Sequence, residues 1–405
     1  MKISRRGTAI SEAGSKAMPR ILYFSYDYTP HDHRFLQALA ERDEYHVYYL
    51  RLQRGPRTLE ARPVPEGVTV VEWLGNQGPF QWARLPAYTD GLRKVLREVQ
   101  PDLVHAGPVL PVAFIAAWVG AQPLVVMSWG SDVLHEAGRS LFNRVAARFA
   151  LSRADVFVAD NRVVARRARE LGLPRSTPLA VFPWGVDLAR FSPDPALGER
   201  LRSLLGWRDA FIVLHTRSWE PIYGVDVVAR AFVQASRREP RLRLLMLGGG
   251  SQEALLRSIF EQGGVLERVH FTGQVRQDEL PNLYRAADVY VSASYSDGSS
   301  VSLMEALACG VPVLVSDIPS NREWVYPGRE GELFPPGDVD ALSQCLVRFA
   351  RQSPRALRSM ARNARLRAEA QADWSRNVQR LWDAYRWALA IGARVPARPL
   401  TSGGV

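Results

Sequence analysis

The chain has 405 residues, 47% hydrophobic and 23% charged, with 52 Lys+Arg against 41 Asp+Glu and a formal net charge of +11. At roughly 100–200 residues per domain, that length predicts two or three domains, each with a real core. The composition excludes a mainly disordered chain, a collagen-like repeat and a disulfide-stapled scaffold. Lys2, Lys16 and Lys94 are the only lysines. The two cysteines, Cys309 and Cys345, make at most one bridge and match no zinc spacing, which points to a reducing compartment. No apolar run of about 18 residues is present to span a membrane. Residues 1–17 lack the apolar core of a signal peptide and read as a disordered extension, or as sequence upstream of a start at Met18. The expectation is a cytoplasmic protein.

In the first half, strand-like runs at Ile21–Ser25, His46–Leu50, Val68–Glu72, Asp102–His105, Leu124–Met127 and Val156–Ala159 alternate with helical stretches such as Val109–Val119 and Leu141–Leu151. Near-continuous apolar strands separated by helices predict a parallel sheet covered on both faces. The segment Phe182–Pro195 holds three prolines and a glycine, and breaks the rhythm. It restarts at Phe211–His215 and continues through Leu242–Leu247, Val269–Thr272, Val289–Ser292, Val313–Ser316 and Glu332–Phe334. This predicts an α/β protein of two Rossmann-like domains, 18–190 and 191–373, with ligands outside the carboxyl ends of the strands in a cleft between them. In Trp374–Trp387, Val378, Leu381, Trp382 and Tyr385 recur at helical spacing, which predicts a docking face.

The chemistry concentrates in Asp288–Phe334. A strand ends near Ser294, a loop carries Asp297 and Gly298, and a helix over Ser300–Ala308 is stopped by Gly310. The backbone N–H groups from Ser299 through Ser300 and Val301 to Ser302, at the positive end of the helix dipole, form an anion site that suits a diphosphate. Gly298 lets backbone approach a ligand closely. Asp297 and Glu305 are placed to accept hydrogen bonds from ligand hydroxyls; for an isolated pair, a helix cap and a solvent-facing carboxylate are the simpler roles.

The pattern Ser294, Asp297, Gly298, Ser300, Glu305, Ala306 and then Gly310-Val311-Pro312-Val313 resembles the signature region of glycosyltransferase family 4, whose members are retaining enzymes of the GT-B architecture. The similarity extends over Val269–Val275, Leu280–Val291 and Gly331–Asp338. The resemblance implies that Glu305 binds the ribose of a nucleotide-sugar donor and Asp297 the donor sugar, as a catalytic residue. It implies a diphosphate on the Gly298–Ser302 backbone and a base near Val275. It also implies a C-terminal helix, 374–395, crossing back to the N-terminal domain. A second family element pairs an Arg and a Lys against the diphosphate. Here Arg217 matches the Arg and Tyr223 stands near the Lys, so Arg217, helped by the helix N-terminus and Arg276, must carry the phosphate charge. Asp297 replaces the family's Glu, Ser299 replaces an aromatic, and Trp129 stands where the family often has His.

In the first half, Trp129 and Asp132 follow a strand, with a helix cap as the alternative for Asp132. His31, Asp32, His33 and Arg34 follow the first strand, and His105 lies at a strand end; these are the acceptor-side candidates. No third ligand accompanies the His-x-His, so no metal is expected, and no cofactor beyond the nucleotide-sugar co-substrate. Asp338-Val339-Asp340 reads as a helix cap rather than a metal motif.

The expected function is metal-independent sugar transfer from a nucleotide diphosphate sugar to a hydroxyl of a glycan, a lipid-linked or a small-molecule acceptor. The alternatives are a non-catalytic nucleotide-sugar-binding protein and an epimerase of the same architecture. The charge is uneven: residues 191–347 carry −5, 348–405 carry +9 and Arg139–Arg175 carries +6. Without a basic face interleaved with aromatics, nucleic acid is not an expected partner. The two basic clusters predict contact with an anionic membrane surface or an anionic acceptor, peripheral at the inner face of the membrane, with ordinary solvated arginine faces as the alternative.

Overall fold

A computed structural model describes residues 18–55, 60–273, 275–276 and 278–394. The expectation for residues 1–17 lies outside them. The chain divides into two compact units: Met1–Ala159 with Val164–Val181 and Gln379–Val405, and Asp160–Val163 with Phe182–Val378.

The first unit is built on seven strands: β1 (Arg20–Ser25), β2 (His46–Arg51), β3 (Val68–Val70), β4 (Leu103–Gly107), β5 (Leu124–Met127), β6 (Val156–Ala159) and β7 (Leu179–Val181). They pair in parallel in the order β3-β2-β1-β4-β5-β6-β7, the doubly wound order in which the chain reverses direction beside β1. The strands β4, β5 and β6 are buried throughout, as expected for a sheet covered on both faces. The helices α1 (Pro30–Ala40), α2 (Leu85–Val99), α3 (Phe114–Trp118), α4 (Ser131–Leu134), α5 (Leu141–Ser152) and α6 (Arg162–Leu171) connect them. β7, a half-buried three-residue strand, is too short to announce itself in the sequence.

The second unit has a six-stranded parallel sheet in the order β10-β9-β8-β11-β12-β13. Its strands are β8 (Phe211–His215), β9 (Leu242–Leu247), β10 (Val269–Gly273), β11 (Val289–Ser292), β12 (Val313–Ser316) and β13 (Gly331–Phe334). Before, between and after them lie α7 (Pro195–Leu204), α8 (Val225–Arg238), α9 (Glu253–Gln262), α10 (Leu280–Ala286), α11 (Val301–Ala308), α12 (Val339–Ala350), α13 (Pro354–Gln371) and α14 (Trp374–Asn377). Two hydrophobic clusters cover its sheet, one around Phe232 and Phe260 and one around Tyr284 and Met304.

The units part at Val181/Phe182 rather than at 190, because Phe182–Pro195 packs into the second unit. Val186 exchanges backbone hydrogen bonds with Ala372 and Trp374, and Val186 and Phe191 are buried in its core. At the other end, α14 stays with the second unit and α15 (Gln379–Gly392) belongs to the first. α15 packs against β4 to β7 through Leu381, Trp382, Ala384, Tyr385 and Ala388; Leu381, Trp382 and Tyr385 are read from their spacing, whereas Val378 precedes the helix and belongs to the second unit. Cys309 and Cys345 are both buried and unbridged. Among the described residues no helix is long and apolar enough to cross a membrane.

Candidate functional site

In the second unit the sequence-selected residues converge on the N-terminus of α11. Ser300 caps that helix, its hydroxyl accepting the Leu303 N–H at 3.4 Å. The cap is thus Ser300, not Asp297. Every residue from Ser302 to Ala308 is buried, so α11 sits inside the unit and its terminal N–H groups have a fixed direction. Gly310 ends it at φ +69°, a left-handed position that favours glycine.

Asp297 is instead the ion-pair partner of Arg217, Nη2 to Oδ2 at 2.8 Å, with about one-seventh of each side chain exposed (14% and 15%). Nη1 of Arg217 donates to the hydroxyls of Ser300 and Ser302 at 3.2 and 3.4 Å. The ring of Tyr223, on a short turn over Pro221–Tyr223, lies 4.1 Å from the guanidinium carbon. Nε of Arg217 is buried and has no hydrogen-bond partner among the described residues. Burial pushes the Asp297 carboxyl up from its usual range, and the guanidinium offsets part of that. For Arg217, burial pulls down, but Asp297 more than compensates, and the guanidinium stays charged above its ordinary value.

Glu305 is buried inside α11, not solvent-facing, and Oε2 accepts the Tyr284 hydroxyl at 2.8 Å. Burial, then the facing Glu305, holds that phenol protonated, and Thr216 lies 3.1 Å from its oxygen. Ser302 meets the Tyr290 hydroxyl at 2.9 Å. The result is one hydroxyl-rich wall, Thr216–Tyr284–Glu305 on one side and Tyr290–Ser302–Ser300 on the other, with Arg217 above it. The tyrosines escaped the sequence reading because Tyr284 and Tyr290 look like ordinary core positions.

Three expectations change here. Gly298 makes room for a protein carboxylate: a Cβ would collide with Asp160, a member of the same unit. The Ser299 N–H is engaged by that carboxylate at 2.6 Å, so of the four N–H groups expected to face an anion it is already taken by the protein. Arg276 is exposed and forked onto Asp278 at 3.1 and 3.2 Å, so it does not join Arg217. Val275 is half-buried against the core around Tyr284.

In the first unit a cavity of about 440 Å³ opens at the carboxyl end of the sheet. Its lining includes Asp27, Thr29, His31, Asp32, Phe80, Trp82, Trp129, Asp132, Glu136 and Asn143. His31 and Trp129 stand ring to ring at 5.5 Å. Asp32 completes a capping box with Thr29 and accepts the Tyr23 hydroxyl at 3.1 Å; burial raises its carboxyl to about 6. Asp132 binds the N–H groups of Val109 at 2.7 Å and Trp129 at 3.0 Å and the Ser128 hydroxyl at 2.7 Å, so it braces the cavity wall.

The other acceptor-side candidates fall elsewhere. His33 turns from the cavity toward a second pocket beside Pro63, with Nδ1 2.7 Å from the Tyr28 hydroxyl. Arg34 is half-buried on α1 and does not line the cavity. His105 is in the core under α15, with Nδ1 2.6 Å from the Tyr385 hydroxyl. Burial lowers its pKa to about 3, so it is a neutral packing residue. A one-residue step along an element decides which way such side chains face, which spacing alone does not resolve at a strand end. Phe80, Trp82, Glu136 and Asn143 come from separate connections and had no motif to mark them. Asp338 is a cap, its Oδ1 accepting the Ala341 N–H at 2.8 Å. Among the described residues no group of three or more His, Cys, Asp or Glu is set to hold a metal ion.

Two family models match the chain: Glycosyl transferases group 1 over residues 201–367 and Glycosyltransferase Family 4 over residues 31–190. A GDP-mannose-dependent alpha-(1-6)-phosphatidylinositol monomannoside mannosyltransferase of Mycolicibacterium smegmatis is 31% identical over 272 residues, 64% of this chain and 69% of the relative.

The chain belongs to glycosyltransferase family 4.

A second relative in this family, the GDP-mannose-dependent monoacylated alpha-(1-6)-phosphatidylinositol monomannoside mannosyltransferase of Corynebacterium glutamicum, is 28% identical over 304 residues, 72% of this chain and 77% of the relative. The crystal structure of Anabaena Alr3699/HepE in complex with UDP and glucose superposes with a TM-score of 0.74 at 22% identity, covering 91% of this chain and 99% of that one. The fold of this glycosyltransferase is accordingly the GT-B type, with two Rossmann-like units. As a nucleotide-sugar-dependent glycosyltransferase, it places the Arg217–Asp297 pair and Glu305 in the half matched by the group 1 model.

Proposed function

We propose that this glycosyltransferase is a retaining, metal-independent hexosyltransferase. It takes mannose from a GDP-linked donor and adds it to a hydroxyl of a lipid-linked acceptor of the phosphatidylinositol type. The donor and acceptor classes follow the two mannosyltransferase relatives. The observation that carries the reading is the charged Arg217 at the capped N-terminus of α11, with Glu305 buried behind it.

In this reading Glu305, held by Tyr284, takes the ribose hydroxyls. Arg217 and the N–H groups of Ser300, Val301 and Ser302 take the diphosphate and stabilise the charge that grows on it as the glycosidic bond breaks. The arriving diphosphate draws Arg217 away from Asp297, whose carboxylate then accepts hydroxyls of the donor sugar. The leaving phosphate accepts the acceptor proton on the same face, so the anomeric configuration is kept and no separate base is required. The cavity lined by His31 and Trp129 receives the acceptor; aromatic faces beside carboxylates suit a polyol ring.

A thermal-shift comparison of GDP-mannose with UDP-glucose and ADP-glucose tests the donor, because a ligand that binds only the folded state raises Tm. GDP-mannose should raise it most; a larger rise with a UDP or ADP sugar overturns the donor assignment. Proton NMR of the product reads the anomeric outcome. Transfer should continue in EDTA, and its loss would refute metal independence.

A further inference from the structure

We propose that the outer face of α5 is a membrane-docking surface for anionic phospholipid, set at the mouth of the acceptor cavity. A helix of a globular unit normally shows polar side chains on the face it leaves exposed. α5 exposes large apolar side chains as well. Its small residues Ala146, Ala147 and Ala150, with Leu151, pack inward. Leu141, Phe142 and Val145 stand 78%, 52% and 59% exposed.

Leu141, Val145 and Phe149 fall at i, i+4 and i+8, one stripe along the helix, with Phe142 beside them. Trp118 of α3, also exposed, extends the stripe by its ring contact with Phe149 at 5.6 Å. A patch of this kind on one element marks an interaction surface.

Charge identifies the occupant. α5 carries Arg144 and Arg148 and no acidic residue, and both arginines are exposed in a row next to the apolar stripe. Arg153 follows the helix, stacked over Phe149 at 4.7 Å, while Arg139 before it is engaged by Glu136 at 3.1 Å. An apolar stripe bordered by arginines lies in the interface plane of an anionic bilayer, apolar side inserted and guanidinium groups among the phosphates. A protein partner would need matching acidic chemistry in addition to an apolar face; the bilayer supplies both at once.

The position gives the surface its use. Phe142 contacts Trp82 edge to face at 5.1 Å, and Trp82 and Asn143 of α5 both line the 440 Å³ cavity. A lipid headgroup held in the bilayer thus reaches the cavity without the acyl chains crossing water. The docking surface rests on the acceptor reading above only for this purpose; its binding is measured separately.

The test is co-sedimentation of the full chain with phosphatidylcholine vesicles with and without phosphatidylglycerol, at low and high salt. Binding to the phosphatidylglycerol vesicles at low salt, weakened by salt, is expected. The triple variant L141S/F142S/V145S should bind about tenfold more weakly or worse, while its donor hydrolysis stays at the wild-type rate. R144E/R148E, both at exposed positions, should lose the salt-dependent part, and it decides the matter if the triple variant does not fold. The proposal is overturned if the wild type ignores anionic vesicles, or if both variants bind like wild type. It is equally overturned if the α5 face instead drives vesicle-independent dimerisation in sedimentation velocity. Normal vesicle binding with no sugar transfer to any lipid acceptor would sink the acceptor reading and leave the docking surface standing.

Discussion

Arg217 and Asp297 are 80 positions apart in sequence, yet their side chains meet at 2.8 Å, and the same guanidinium reaches the cap hydroxyl of α11. The pair holds the cation at the helix N-terminus before any ligand arrives, so less side-chain order has to be imposed on binding. On the proposed reading it also sets a competition, because the carboxylate and a diphosphate would share the same guanidinium.

That competition makes the two residues unequal. Arg217→Ala should lower kcat by about 100- to 1000-fold, the usual loss when a donor to developing negative charge is removed. Asp297→Asn should cost less in diphosphate binding, since it frees the guanidinium, and more in kcat through the lost sugar contact. A double-mutant cycle on donor affinity checks this: a coupling energy within error of zero would show that the ion pair plays no part in donor binding.

Tyr223 stacks on Arg217 and brings no charge of its own, so its expected role is to place the guanidinium. Tyr223→Phe should stay within about threefold of wild-type kcat/KM, whereas Tyr223→Ala should lose about 0.5–2 kcal/mol of guanidinium placement, about 3- to 30-fold. Steady-state kinetics of the two variants separate ring from hydroxyl. Equal losses would point to the hydroxyl.

Glu305 is expected to act on the donor's ribose. Glu305→Gln should weaken binding of the nucleotide diphosphate by about 1.5–3 kcal/mol, the worth of hydrogen bonds to a charged group, and should shrink the donor-induced rise in Tm. A 2′-deoxyribose donor is the control. It should bind wild type more weakly and Glu305→Gln with little further loss.

Buried titratable groups predict the acid limit of stability. His105 and His215 are lowered by burial to about 3 and about 4 from an ordinary value near 6.5. Below about pH 6.5 the unfolded chain takes up two protons there that the folded chain refuses, so stability falls as pH drops. Asp32 works in the opposite sense: burial raises it to about 6, so the folded state holds a proton that the unfolded chain lacks. Near pH 5 these three groups together, two refusals against one gain, contribute a loss of about 1.4 kcal/mol per pH unit. Urea unfolding between pH 7 and pH 5 measures the slope. Replacing His105 by Leu should flatten it.

The strand runs read in the sequence coincide, within a few residues, with twelve of the thirteen strands among the described residues, since buried parallel strands favour unbroken apolar, β-branched stretches. The exception, β7, is half-buried and has no such run. The loop-to-helix segment at Asp297–Glu305 was legible for a related reason: a capped helix following a strand requires particular residue types in a fixed local order.

What lay beyond the sequence is whatever depends on residues brought together from separate elements. Asp297, expected to face ligand hydroxyls, turned to Arg217 while Ser300 took the cap, and Tyr284 and Tyr290 joined the wall from the preceding helix and strand. His105 left the acceptor side because α15 lays Tyr385 on it, a contact across 280 positions. Local pattern determines which element forms and which face it hides. Only tertiary packing decides which polar atoms then share a space, because burial forces each of them to find its partner among whatever neighbours the fold supplies.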